Sequence, residues 1–156
     1  METIDQSPDE SIAKLECERA TAEVKLLACI APIGRFGMAL AAKAGIQIQH
    51  FEQPDTLAIY AALTLANSDG RIADKIKTAR LARLALEDAG LWDDSDERTF
   101  VAGMRWGPGP LTELFTRISR QDAEVNLPGA AAALMESIKK QQIGIQSVKS
   151  RDRVGA

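Results

Sequence analysis

A chain of 156 residues is the usual size of one domain and is long enough to bury a core without disulfides or a structural metal. Apolar residues make up 46% and aromatics only 4%, a balance that suits close-packed helices over sheets of β-branched and aromatic strands. The formal charge of −3 excludes a whole-surface attraction to nucleic acid, which needs a clearly basic face. The charge is uneven. Seven acids (Glu2, Asp5, Asp9, Glu10, Glu16, Glu18, Glu23) face two bases between Met1 and Val24, whereas Lys139 to Ala156 holds five bases and Asp152. Cys17 and Cys29 belong to no CxxC pair and His50 is the only histidine, so neither a disulfide framework nor a zinc site is implied. The acidic start has no apolar signal core, and no stretch reaches the roughly 18 apolar residues of a membrane span. The expected location is the cytoplasm, with no membrane contact.

In chain order, residues 1–10 are polar, carry a proline and predict a disordered acidic start. A first helix is predicted from Ser11 to about Ala31, burying Leu15, Val24, Leu27 and Ile30, with Pro32 as its end or a break. A second runs from Arg35 to Ala44 and stops at Gly45. Ile46, Ile48 and His50 alternate with glutamines, but a lone strand has no partner, so this stretch reads as a loop ending at Phe51. Pro54 and Asp55 form a helix start, because proline presets the chain direction and aspartate accepts orphan amides of the first turn. The third helix, Leu57 to Ala66, ends at the stop Asn67 to Gly70.

Asp74 is a cap for a fourth helix with Ile76, Ala79, Ala82, Leu86 and Ala89 on one face and Gly90 as its terminator. Asp94 and Glu97 form a capping box for a helix through Phe100 and Met104. The run Gly107 to Pro110 must interrupt any helix, since proline removes donors and glycine raises the entropy cost of order. A short helix from Leu111 to about Ser119 and a last one from Leu127 to Gln142, capped by Asn126 and stopped by Gly144, complete the series. The expected fold is all-α: a single compact helical domain over residues 11–144 with six or seven helices, a globule plus a carboxyl-terminal helical hairpin. Residues 145–156 form a basic flexible tail.

No catalytic set emerges. A phosphate cradle needs glycine-spaced amides with lysine and serine or threonine opening a helix, and no GxxxxGKS/T is present. The glycines at 107 and 109 lie between prolines and lack the lysine. His50 has no nucleophile or orienting partner nearby in sequence and reads as a structural or surface histidine. Asp93, Asp94, Asp96 and Glu97 lack the spaced ligands and glycine of a calcium loop and read as a dipole-matched helix start. The basic segment Arg71, Lys75, Lys77, Arg80 and Arg83 has no interleaved aromatics for base stacking, and a solvated helix face explains it. Phosphate contact there stays open, but nucleic-acid contact is at most indirect. No enzyme, cofactor or metal is expected.

The segment HFEQPDTLAIYAALTLANSDGRIAD, His50 to Asp74, resembles the amino-terminal domain of DnaB-family replicative helicases. There a phenylalanine and a proline precede a helix carrying Ile-Tyr, here Phe51, Pro54, Ile59 and Tyr60; a glycine ends it and an aspartate opens the next, here Gly70 and Asp74. Glu23 to Ile30 resembles the family's first core helix, with its glutamate ahead of apolar residues. Leu86 to Leu91 resembles the close of its fourth helix, and Asn126 to Ile138 the helix that closes the domain. The resemblance spans about Glu23 to Gln142 and implies a non-catalytic protein-interaction and oligomerisation domain of DNA replication, contacting a replicative helicase, primase or helicase loader. The ATPase is not implied.

The same resemblance implies a dimer or a higher ring assembly through the hairpin after Gly107. Leu111, Leu114, Phe115 and Ile118 recur at helical spacing, as do Ala131, Leu134, Met135 and Ile138, so two short apolar faces lie close in sequence. The expected interface residues are Leu111, Leu114, Phe115, Ile118, Leu134, Met135 and Ile138, unless those faces pack on each other or on the core. An alternative from another class is a TerB-like tellurite-resistance domain, whose helical fold has an Asp-Gly turn like Asp69 to Ile72 and would take a hard cation.

Overall fold

The computed structural model describes residues 8–66, 75–92 and 118–155. Among them are five α-helices and no strand: α1 (Pro8–Ile33), α2 (Arg35–Lys43), α3 (Pro54–Ala66), α4 (Lys75–Asp88) and α5 (Arg120–Gly155), with a 3-10 turn at Ile48–His50. The all-α expectation holds. The sequence-predicted helix at 94–104, the stop at 67–70 and residues 111–117 of the predicted helix at 111–119 lie outside the described residues; Ile118 and Ser119 are not helical.

The molecule is organised on α1, which packs against α2, α3 and α5. Its first half is amphipathic, but every residue from Leu26 to Ile33 is buried, because three helices surround that end. Leu26, Leu27 and Ile30 are fully enclosed. Helix α5 lies along α1 in the opposite direction: Gly144 meets Leu15, Gln141 binds Arg19, and Glu124 shares a hollow with Ile33. The seam on α5 is Ala123, Leu127, Ala131, Leu134 and Gln141, all buried, at the spacing of one helical face. Helices α3 and α4 form the second pair, with Ile59 and Leu63 fully buried on α3 and Ala82 and Leu86 on α4.

Glycines set the ends where the sequence places them. Gly45 (φ 91°) and Gly90 (φ 74°) adopt the left-handed backbone that side chains resist. Each closes a Schellman motif: Ile46 N–H donates to Ala41 O (3.0 Å) with Gly45 N–H on Ala42 O, and Leu91 N–H donates to Leu86 O (2.8 Å) with Gly90 N–H on Glu87 O. Pro54 opens α3.

Several expectations need correction. Helix α1 starts at Pro8 inside the expected disordered stretch and passes Pro32; the break falls at Gly34 (φ 54°). Pro32 sits in the last turn, where losing one amide does not stop the helix. The 47–50 segment is a 3-10 turn, not an open loop. Helix α5 begins at Arg120, where the Ser119 hydroxyl accepts the Asp122 amide at 3.1 Å, so Ser119 and not Asn126 is the cap. It continues through Pro128 and past the expected stop at Gly144 to Gly155. Pro128 is exposed, which leaves the carbonyl freed on Glu124 on the solvent side. Ala89 lies just past the end of α4 and is exposed rather than on its buried face.

Candidate functional site

The most organised polar cluster joins α1, the start of α3 and α5. Glu23 on α1 is fully buried, and its Oε1 accepts from Glu52 N–H (3.1 Å), Gln53 N–H (3.3 Å) and the Thr56 hydroxyl. A carboxylate from another helix thus takes the orphan donors just ahead of α3, where the helix dipole favours negative charge. The sequence assigns that task to Asp55, which is itself buried.

Arg19, one turn before Glu23, ties the cluster together. Its Nη1 lies 2.8 Å from Glu52 Oε2 and donates to Gln141 Oε1 at 2.7 Å, and its Nη2 donates to the His50 carbonyl at 3.2 Å. Arg19 Nε and Glu23 Oε2 stand 3.5 Å apart, a charge contact without a hydrogen bond. Burial pushes the Glu23 carboxyl above its ordinary range, against the opposing pull of Thr56, the Gln53 and Glu52 amides and Arg19. Beside this joint, Phe51 and Tyr60 stack at 4.3 Å between ring centroids.

A buried acid held up in pKa has the character of a general acid or base, but Glu23 lines neither of the hollows described here. The first, about 510 Å³, lies between α1 and α5 and is walled by Lys14, Cys17, Thr21, Lys25, Ala133 and Ser137. The second, about 380 Å³, is lined by Ile33 and Phe36 with Arg120, Gln121 and Glu124. Among the described residues no three His, Cys, Asp or Glu side chains stand together as metal ligands, and no helix is long and apolar enough to cross a membrane.

The sequence-predicted sites separate. Of the residues that carry the family resemblance, Glu23 meets the backbone of residues 52 and 53 at the α1–α3 joint, Phe51 stacks on Tyr60 beside it and Ile59 is buried on α3, while Gly70 and Asp74 lie outside the described residues. His50 is structural: its Nδ1 accepts the Gln47 amide at 2.9 Å. Arg83 sits over the Trp92 ring at 4.9 Å and binds Glu87 at 3.0 Å, while Arg80 is exposed. Of the expected interface residues, Leu111, Leu114 and Phe115 lie outside the described residues. Leu134 is fully buried, and Ile118 and Ile138 pack on the core, so the face on α5 serves the chain's own interior; only Met135 is exposed. The sequence reading missed Arg19 and Gln141, whose contact spans 122 residues and leaves no local signal. Glu23 did leave one, as a lone charge on the apolar face of α1.

Comparison of the chain with family models, with curated proteins and with solved structures finds no match.

Proposed function

We propose that this chain is a non-catalytic protein-contact domain of DNA replication, of the kind that precedes the ATPase of DnaB-family helicases, and that it engages a replicative helicase, primase or helicase loader in the cytoplasm. The observation that carries the reading is the meeting of Glu23, Phe51, Pro54, Ile59 and Tyr60. Two stretches chosen by resemblance meet there: Glu23 of the first takes the backbone amides just ahead of Pro54 in the second, where Phe51 stacks on Tyr60. Such a joint stabilises a rigid helical surface rather than a reaction centre, which suits a docking module.

The test is direct binding between the purified chain and the helicase, primase and loader of its own organism. Saturable binding to one of them, and no saturable heat with ATP and magnesium in calorimetry, is the expected outcome. If none of the three binds, the replication reading is wrong. Self-association belongs to the same reading. Of the expected interface, Leu134 is core and Ile138 packs on the core, which leaves Met135 as the described member of that set open to a second copy.

A further inference from the structure

We infer that the surface around Phe36, where α2 begins beside the start of α5, is where two copies of this chain meet. Phe36 is 67% exposed although it sits on a rigid element. Helix α2 is held close to α1 behind it: Gly37 lies against the Ile30 backbone with no room for a Cβ, and at the break between the helices Gly34 N–H donates to Ile30 O at 2.8 Å. The ring therefore loses little freedom on association, as a good anchor requires. The ring forms one wall of a hollow of about 380 Å³ whose other walls are Ile33, Arg120, Gln121 and Glu124, so it projects at the rim of an opening. Val125, 72% exposed, stands one turn beyond Gln121.

A knob beside a hole on one patch is self-complementary about a two-fold axis, since each copy's ring fills the other's hollow. The charges on the rim agree. Arg120 and Glu124 are one turn apart on α5, carry opposite signs, and make no ion pair with any described residue. Across a two-fold axis each Arg120 faces the other copy's Glu124, so two identical copies satisfy both charges at once. An unrelated partner would need a matching pair of its own. The inference rests on the proposed function only for the idea of self-association, not for any role in replication.

Sedimentation velocity on the full chain decides it. The wild type should pass from monomer to dimer as concentration rises, and Phe36→Ser should weaken the dimer by about tenfold or more while the helical spectrum stays unchanged. Arg120→Glu and Glu124→Arg should each be monomeric alone, because like charges then meet across the axis. Mixed in equal amounts, they should dimerise again, since each supplies the charge the other needs. A wild type that stays monomeric at its highest soluble concentration overturns the inference. So does a dimer indifferent to Phe36→Ser, a mixture that fails to reassociate, or a dimer lost only with Phe115→Asp, which would place the contact after Gly107. Binding of helicase, primase or loader, measured separately, tells failure of this surface from failure of the replication reading.

Discussion

Glu23 accepts three hydrogen bonds at one buried oxygen, and two substitutions separate their effects. Glu23→Ala leaves the Glu52 and Gln53 amides and the Thr56 hydroxyl without their acceptor and Arg19 beside a void. It should cost about 3–5 kcal/mol in urea unfolding, the usual penalty for breaking a buried charged pair from one side. Glu23→Gln keeps an acceptor oxygen and removes the titration. Because burial raises the folded-state pKa, the folded protein holds this proton at a pH where the unfolded chain has released it. The contribution is therefore fully present below the unfolded value of about 4.5 and falls as pH rises through the raised folded value. Wild type minus Glu23→Gln stability should decline across that window; a flat or rising difference would mean that the amides and Arg19 outweigh desolvation. The two thiols give a second residue-level test. Cys17 is exposed and Cys29 is buried with its thiol pushed up by burial, so a thiol reagent should label Cys17 quickly and Cys29 only on unfolding.

At the scale of elements, two glycines with the same clearance should respond in opposite ways. A Cβ on Gly37 would come within 2.7 Å of the Ile30 carbonyl oxygen and 2.9 Å of its Cα, both backbone atoms of the clamped α1. Gly37→Ala must push α2 away, at about 1–3 kcal/mol, more than the ~1 kcal/mol of helix propensity it gains. A Cβ on Gly144 would also meet an atom at 2.7 Å, but that atom is the tip of Leu15, which can turn aside. Gly144→Ala should raise stability by about 0.5–1 kcal/mol, measured by thermal unfolding. These elements show what a sequence discloses. The stops at Gly45 and Gly90 and the start at Pro54 were legible because left-handed backbone and proline geometry are local demands. The reach of α1 past Pro32 and of α5 past Pro128 and Gly144 was not, because those residues are tolerated only through long-range contact or solvent on the outer face. The α1–α3 joint was half legible: Phe51, Pro54, Tyr60 and Glu23 stood out, whereas Arg19 and Gln141 acquire meaning only when α5 is laid against α1.

The whole molecule is closed by that pairing of α1 with α5. Without α5, the face carrying Leu26, Leu27 and Ile30 loses one of its three covering helices. A chain ending at residue 117 should therefore keep much of its far-ultraviolet helical signal, lose its cooperative transition and bind ANS; a sharp transition in that fragment would show that α5 is dispensable. The same feature has a consequence in time. Arg19 waits for Gln141, 122 residues later. At about 5–20 residues per second, a ribosome needs on the order of 6–24 s to deliver it. Over a comparable interval after α1 emerges, the flank that α5 covers has no partner, so a nascent-chain chaperone should crosslink to it until α5 emerges and then let go.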